Sequence, residues 1–289
     1  MVTVVAMNQF ATTPEGPTTL IVRSGGGMPG LDIHAGITIA LARHGIEATH
    51  CIGTSAGAII SAMDSSGYNA IQINKIIAGL TDHDVRDERI LGRYRPWITH
   101  YLGNAKIIAL AESLFPEQFV ELKKPLGVHV VRNSDGEGIT FGALHVRDPE
   151  IAKHPNTKFM RDAVLASMSI HGIFPDVLID GVAYSDGGTS ANVPVPHNWR
   201  NFDRVVLAIA SPPTSYPEAK NVISRLLRNV QWLMRNQIHG MVNQVQLDER
   251  VIVVWPKCGA ESNTLRFDHR LIDAAKREAY ASIAAQLKK

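Results

Sequence analysis

At 289 residues, with 45% hydrophobic and 19% charged side chains, the chain is long enough for one well-buried α/β domain and short for two. A net charge of +2, without a run of lysine or arginine, argues against nucleic acid as a partner. Two cysteines exclude a disulfide scaffold, and no apolar stretch has the length of a membrane span or of a signal peptide. We therefore expect a soluble, cytoplasmic protein.

Residues 1–17 are expected to form a loose N-terminal tail. Residues 18–289 are expected to form a single domain, with a motif-bearing core at 20–211 and a helical C-terminal part at 212–289. No internal repeat or low-complexity stretch divides this domain.

A glycine-rich loop follows the first predicted strand. Residues 20–24 form this strand, the loop at 25–30 reads GGGMPG, and a helix is predicted from Leu31 to about Gly45. Such a loop points bare backbone N–H groups into one space, which suits an anion. The GxGxxG pattern of the loop fits a dinucleotide fingerprint, and the loop also fits an oxyanion hole for acyl transfer.

The second predicted strand, 48–52, favours the oxyanion hole. A dinucleotide site needs an acidic residue at the end of this strand, whereas the strand runs into GTSAG at 53–57. Gly-x-Ser-x-Gly is the pattern of a nucleophile elbow, a sharp strand-to-helix turn that exposes a serine hydroxyl. Side chains at Gly53 and Gly57 would clash with neighbouring backbone, and Ser55 lies at a helix N-terminus that favours negative charge. Ser55 is therefore the predicted nucleophile.

The middle of the chain predicts further helices and a strand pair. Helices are expected at 68–80 and 158–168, and strands at 128–131 and 138–141. His83 lies between two aspartates, for which a polar surface loop is favoured over a metal cluster because no matching ligands occur elsewhere. Residues 93–101 mix arginine with aromatic residues, which suits a membrane interface or a flap over an apolar acyl site. A plain packed connection is nevertheless the favoured interpretation.

A carboxylate followed by two glycines ends the next predicted hairpin, 176–188. Asp186 lies where a strand gives way to a turn, a place from which a side chain can reach a site. An ordinary Asp-Gly turn is the alternative interpretation. A glycine-rich loop, Gly-x-Ser-x-Gly and Asp-Gly-Gly in this order are together much more specific than any one of them.

The C-terminal part also alternates strands with helices, at 205–210, 221–246, 251–255 and 271–287. The long helix 221–246 has an apolar stripe, and Arg225, Arg228 and Arg235 lie mostly away from it. Core packing with a solvated charged face is the favoured interpretation, and a basic amphipathic helix that meets anionic lipid is the alternative. The alternation of strands and helices along the chain predicts a layered α/β fold.

The three motifs, together with ASMSI at 166–170, resemble those of the patatin-like phospholipase family. The resemblance covers about residues 20–211 and implies a three-layer α/β/α fold with a mostly parallel central sheet. It implies a serine acyl hydrolase of phospholipase A or lysophospholipase type with a Ser55–Asp186 dyad, and no cofactor or metal. The expected partner is a lipid or small ester, and peripheral contact with a membrane is compatible with it. Pro29 stands where the family usually has a basic residue.

The oxyanion hole that the resemblance implies consists of backbone N–H groups of Gly25, Gly26, Gly27, Gly30 and Ala56. Ser55 would attack an ester carbonyl, Asp186 would take its proton, and water would cleave the acyl-enzyme. Spacing alone equally permits a Ser-Asp-His triad completed by His197 or His239. A non-catalytic module that binds an anion or nucleotide at the 25–30 loop is the alternative function. No oligomeric state is predicted.

Overall fold

The structure is a computed structural model that describes residues 16–85, 87, 103–142, 159–210, 222–259 and 265–288. Nearly all of the expected tail, and the segment at 93–101, lie outside the described residues. None of the helices within the described ranges is long and apolar enough to cross a membrane.

A central sheet of eight strands organises the described part of the chain. The strands are β1 (Thr19–Arg23), β2 (His50–Thr54), β3 (Leu126–Arg132), β4 (Gly138–Gly142), β5 (Val177–Ile179), β6 (Val182–Asp186), β7 (Arg204–Ala208) and β8 (Val251–Val254). Their order is β5-β6-β3-β2-β1-β7-β8, with β4 paired to β3. Four pairs are parallel, namely β3–β2, β2–β1, β1–β7 and β7–β8. The pairs β3–β4, β3–β6 and β5–β6 are antiparallel. The sheet is thus mostly parallel, as expected.

Eight α-helices connect these strands within the described ranges. They are α1 (Gly27–Arg43), α2 (Ala56–Ser66), α3 (Ala70–Gly79), α4 (Asp82–Val85), α5 (Ala105–Leu114), α6 (Met160–Met168), α7 (Val222–Val245) and α8 (Arg270–Gln286). Short 3-10 turns at Phe119–Glu121, Gly187–Thr189 and Trp199–Asn201 complete the connections.

Helices cover both faces of the sheet, because two separate apolar clusters are buried against it. Alternate residues of a strand point to opposite faces, so Ile21 and Cys51 join the larger cluster while Leu20 and Ile52 join the smaller. Helices α1, α2, α3, α5, α6 and α8 pack into the larger cluster, and α7 packs into the smaller. This confirms the predicted three-layer α/β/α fold and explains the continuous apolar runs of the central strands.

Helix α1 begins earlier than predicted, at Gly27 rather than at Leu31. Pro29 fits the first helical turn because a proline there has no N–H group to leave unpaired. The glycine-rich loop is therefore shorter than its sequence pattern, and part of that pattern forms the helix N-terminus.

Residues 82–85 form the one-turn helix α4 where a surface loop was expected. The side chain of Asp84 accepts a hydrogen bond from the backbone N–H of Thr81 at 2.7 Å. Asp82 accepts one from the backbone N–H of Phe267 at 3.0 Å. The carboxylates thus satisfy backbone donors. The described residues contain no group of three or more side chains that could hold a metal ion.

Candidate active site

Strands β2 and β6 meet end to end along one edge of β3. Thr54, the last residue of β2, pairs with His129, and Asp186, the last residue of β6, pairs with Val130. Strand β4 pairs with the same stretch of β3 and therefore occupies the other edge. Because β2 and β6 approach from opposite directions, their last residues are neighbours. Ser55 and Asp186 are brought together at this junction.

A tight hairpin delivers Asp186 to the junction. Strands β5 and β6 are joined through Asp180 and Gly181, whose φ angles are 50° and 78°. Two positive φ angles are what a two-residue type I′ turn requires. Beyond β6, the 3-10 turn Gly187–Thr189 begins, and the N–H of Gly188 donates to Asp186 Oδ1 at 2.8 Å.

The turn around Ser55 has the close backbone contacts of a nucleophile elbow. Ser55 has a φ of 53°, which a residue with a side chain rarely adopts. A Cβ on Gly53 would lie 2.4 Å from the carbonyl of Gly57, and a Cβ on Gly57 would lie 2.4 Å from the carbonyl oxygen of Arg23. Both glycines are therefore required by close approach of the backbone, as predicted from the motif.

A buried serine on α6 holds the elbow in place. The backbone N–H of Ser55 donates to Ser167 Oγ at 2.8 Å, and Ser167 Oγ donates to the carbonyl of His129 at 2.7 Å. Ser167 is fully buried. Sequence reasoning assigned it no role, since its only signal was its place in the segment that resembles the family. This bridge ties the nucleophile to the strand on which β2 and β6 meet.

The Ser55 hydroxyl lies close enough to the Asp186 carboxylate to lower its pKa. Both residues are only 6% exposed. Burial raises the pKa of Asp186 to about 6, although the hydrogen bonds from Gly188 and Ser55 act in the opposite direction. The carboxylate is therefore a stronger base than an aspartate in water, and it contacts the hydroxyl from which it would take a proton.

Neither histidine considered for a triad contacts the dyad. His197 is exposed, and His239 is exposed and packs against Trp255 with the ring centroids 4.8 Å apart. Among the described residues, the Asp186 carboxylate accepts a hydrogen bond from the N–H of Gly188, and the neighbouring side chain that acts on its pKa is that of Ser55. The geometry therefore favours a dyad over a triad.

A third histidine, His129, is buried close to the junction but supports the fold. Its Nε2 lies 2.7 Å from Ser190 Oγ and its Nδ1 lies 3.0 Å from Thr140 Oγ1. Burial lowers the pKa of His129 to about 4, so the ring is neutral near pH 7. It thereby anchors the turn that follows Asp186.

Two of the five predicted oxyanion donors are already committed to protein acceptors. The N–H of Gly25 donates to the carbonyl of Asn192 at 3.2 Å, and the N–H of Gly30 donates to the carbonyl of Gly26 at 3.1 Å. This corrects the predicted donor set. Gly25 and Gly30 instead allow close packing, because a Cβ at Gly25 would lie 3.4 Å from Ser55 Cβ and one at Gly30 would lie 3.2 Å from Ala56 Cβ.

The remaining donors come from two helix N-termini that meet at Ser55. Gly27 and Met28 open α1, and Ala56 opens α2, so their N–H groups have no intrahelical acceptor. All three residues line the same pocket as Ser55. Met28 was not predicted, because the sequence placed the helix start after it. Gly26 immediately precedes α1 and stays a predicted donor.

Asn192 links the glycine-rich loop to the Asp186 segment and was missed from sequence. Its carbonyl accepts the N–H of Gly25, and its Nδ2 would lie 3.0 Å from a Cβ on Gly25 and 3.4 Å from a Cβ on Gly188. The residue is 2% exposed, and its Oδ1 has no hydrogen-bond partner among the described residues. Asn192 thus fixes the distance between the two motifs on either side of the dyad.

An apolar pocket extends from Ser55 into the larger cluster. The space between its walls, with the open solvent at its mouth included, is about 690 Å³. Its walls come from the six helices α1 to α6, with side chains that include Met28, Ile59, Ile77, Leu110 and Met168. A pocket with apolar walls and a reactive hydroxyl suits a hydrocarbon chain attached to an ester.

A buried ionic cluster holds α2, the helix that follows Ser55, against the end of β1. Arg23, 1% exposed, places its Nη2 2.7 Å from Asp64 Oδ2, and Lys124 places its Nζ 2.8 Å from Asp64 Oδ1. Arg23 Nη1 also donates to Ser61 Oγ at 3.3 Å. Burial by itself would raise the pKa of Asp64, but Arg23 and Lys124 hold that pKa below its ordinary value. The cluster joins α2 to the strand that leads into the glycine-rich loop.

The chain is similar to proteins of known family over the region that carries this site. The profile described as patatin-like phospholipase matches residues 21–199. Lysophospholipase NTE1 of Scheffersomyces stipitis is 24% identical over 204 residues, and that of Candida albicans is 26% identical over 189 residues. Each alignment covers 65% of this chain, which spans only 11% and 13% of the length of these two relatives.

A solved structure of VipD from Legionella pneumophila has the same fold. It superposes with a TM-score of 0.53 at 15% identity, covering 95% of this chain and 68% of that one. The profile match includes the glycine-rich loop, the elbow and the Asp-Gly-Gly turn, and it confirms the resemblance predicted from these motifs. The chain belongs to the patatin-like phospholipase family, a family of lipid acyl hydrolases.

Proposed function

We propose that this chain hydrolyses lipid esters, in the manner of a phospholipase A or lysophospholipase, with Ser55 as nucleophile and Asp186 as general base. The observation that carries the proposal is the placement of the Ser55 hydroxyl beside a buried carboxylate of raised pKa, at one end of an apolar pocket. The names of the NTE1 relatives support a lysophospholipid as one substrate.

The reaction proceeds through an acyl-enzyme. Ser55 Oγ attacks the ester carbonyl carbon while its proton passes to Asp186. The donors that stabilise the oxyanion are the N–H groups of Gly26, Gly27, Met28 and Ala56, and one such donor contributes about 3 kcal/mol in comparable sites. Collapse of the intermediate expels the alcohol, which takes the proton from Asp186. Water then attacks the acyl-enzyme with Asp186 again as base. The fatty acid is released, and the Ser55 hydroxyl is regenerated.

Hydrolysis and active-site labelling together test the proposal. We expect the wild type to hydrolyse lysophosphatidylcholine and a short-chain p-nitrophenyl ester, and to be inactivated by a fluorophosphonate attached to Ser55. Ser55→Ala should abolish hydrolysis and labelling. Ser113→Ala, which removes an exposed hydroxyl on α5, should leave both unchanged.

Hydrolysis that persists in Ser55→Ala would overturn the assignment of the nucleophile. A wild type that is folded but neither hydrolyses esters nor reacts with the fluorophosphonate would favour the alternative of a non-catalytic module. In that case a thermal shift with NAD or ATP would indicate that the 25–30 loop binds a nucleotide.

A further inference from the structure

Helix α7 has a surface that the catalytic site does not use. Its 24 residues, Val222–Val245, include three arginines and no aspartate or glutamate. The C-terminal half is anchored in the smaller cluster through Ile238, Val242 and Val245. Further towards the N-terminus, Trp232 is 46% and Leu233 65% exposed. Apolar side chains that are exposed next to each other, with polar or charged neighbours around them, are typical of a surface that meets a partner or a membrane.

The arginines and Trp232 lie on one side of α7. At about 100° per residue, Arg225, Arg228, Trp232 and Arg235 fall within an arc of roughly 80°, and Leu233 lies about 100° from Trp232. The guanidinium of Arg228 lies over the Trp232 ring, 5.1 Å from its centroid. We call these five residues, Arg225, Arg228, Trp232, Leu233 and Arg235, the α7 patch.

Helix α7 borders the catalytic junction. The Met234 methyl group lies 2.8 Å from where a Cβ on Gly188 would be, and Gln237 Nε2 donates to the carbonyl of Thr189 at 2.9 Å. Helix α7 therefore packs on the turn that follows Asp186. The apolar pocket lies in the larger cluster, on the opposite face of the sheet.

We propose that the α7 patch docks on the surface of an anionic lipid bilayer and so presents the Ser55–Asp186 site to membrane lipid. The inference rests on the proposed function, and it names the surface through which that site meets its substrate. Three arginines without a neighbouring acid on the helix match the negative surface potential of such a bilayer. Trp232 and Leu233 supply the apolar side chains that enter the headgroup region.

A bilayer fits the patch better than a nucleic acid does. The whole chain carries a net charge of only +2. Recognition of a nucleic acid backbone needs a wider basic face. The exposed Trp232 and Leu233 beside the arginines fit a lipid interface, where arginines remain at the headgroups while apolar side chains insert.

Vesicle binding by the catalytically inactive full chain tests the proposal apart from hydrolysis. Ser55→Ala protein is sedimented with vesicles of phosphatidylcholine alone, or with vesicles in which about a third of the lipid is phosphatidylserine. We expect binding to the second kind only. Adding Arg225→Gln and Arg228→Gln should weaken this binding by roughly 30-fold, since each arginine near an anionic surface contributes about fivefold. Trp232→Ala with Leu233→Ser should also abolish it.

The matched control replaces two exposed arginines on the opposite layer, Arg43 on α1 and Arg277 on α8, by glutamine. This pair changes the net charge equally and should keep binding within about twofold. Equal binding to both kinds of vesicle, or equal losses in the two arginine pairs, would overturn the proposal. If the Arg225→Gln, Arg228→Gln substitutions left vesicle binding unchanged and abolished binding to an oligonucleotide, the patch would be a nucleic-acid surface and the proposal would be overturned.

A second measurement separates this inference from the function on which it depends. With Ser55 intact, the Arg225→Gln, Arg228→Gln variant should hydrolyse a soluble short-chain ester at the wild-type rate, which also shows that it is folded. It should lose activity on anionic vesicles in proportion to its binding. If the wild type has no esterase activity at all, the proposed function fails, while vesicle binding still reports on the patch.

Discussion

Thr54 and Asp186 occupy adjacent positions along the same edge of β3, where they pair with His129 and Val130. The strands that carry them run in opposite directions, so each strand ends where the other ends. The next residue after Thr54 is the nucleophile. Sheet register therefore places Ser55 beside Asp186, and no flexible loop is needed to bring the two side chains together.

The raised pKa of Asp186 predicts an acidic limb in the activity profile. Burial moves this pKa from 3.8 to about 6, and only the ionised carboxylate can take the serine proton. On a soluble ester, kcat/KM should therefore fall about tenfold per pH unit below pH 6 and level off above it. Steady-state kinetics between pH 4.5 and 8 measure this. A flat profile down to pH 4.5 would contradict the assignment of the base.

Replacing the triad candidates should leave acyl-enzyme formation intact. His197 and His239 are exposed and do not hydrogen bond to Asp186. We expect His197→Ala and His239→Ala to react with a fluorophosphonate within about twofold of the wild-type rate, whereas Asp186→Asn should react on the order of 10²–10⁴ times more slowly. Loss of labelling in either histidine variant would show that a triad operates.

Ser167→Ala should impair catalysis through the position of Ser55. The substitution removes the acceptor of the Ser55 N–H, and an unpaired buried donor costs about 1–3 kcal/mol. We expect kcat to fall by roughly 10- to 100-fold with little change in KM, because the strained elbow loses its support. Ser169→Ala is the control, since that hydroxyl donates to the carbonyl of Leu165 within α6. An equal loss in both variants would indicate a general effect on α6.

The elbow glycine Gly57 should not tolerate a methyl group. A Cβ there would lie 2.4 Å from the carbonyl oxygen of Arg23 and 2.5 Å from that of Ser24, and backbone atoms cannot move aside cheaply. Gly57→Ala should lower the free energy of unfolding by about 3 kcal/mol. Urea denaturation measures it. Gly79→Ala, at a helix end with no atom within 4 Å of the new Cβ, should stay within about 1 kcal/mol of the wild type.

Removing only Arg23 from the ionic cluster at α2 should destabilise the fold more than replacing both Arg23 and Asp64 by apolar residues. Arg23→Met leaves Asp64 buried with Lys124 as its remaining cation, which should cost about 3 kcal/mol. The double variant Arg23→Met, Asp64→Leu should recover most of that loss, because no uncompensated carboxylate is left in the core. Guanidinium denaturation of the single and double variants compares the two. A double variant that is no more stable than Arg23→Met would contradict this account.

The nucleophile elbow could be predicted from sequence because its constraints are local. Gly53 and Gly57 are required by contacts within the turn or with the adjacent strand, and they bracket Ser55 in five residues. The alternation of apolar strands and amphipathic helices likewise predicts the layered fold, since strands buried on both faces need apolar residues throughout. The order of the three motifs then indicated the family.

The donor set and the supports of the site were decided by the tertiary structure. Gly25 and Gly30 look like donors in the sequence, but one N–H meets Asn192 across the site and the other lies inside a helix that begins before its expected start. Ser167 and Arg23 carry no local signal, because their partners are distant in the chain.

The residue types by themselves determined which side chain can attack and which turn can hold it, since a sharp turn between strand and helix excludes all but the smallest neighbours. Whether Asp186 reaches Ser55, and with what pKa, was decided by the pairing of β2 and β6 on β3 and by the burial that this pairing imposes. Register between distant strands depends on the whole core, and a short motif cannot encode it.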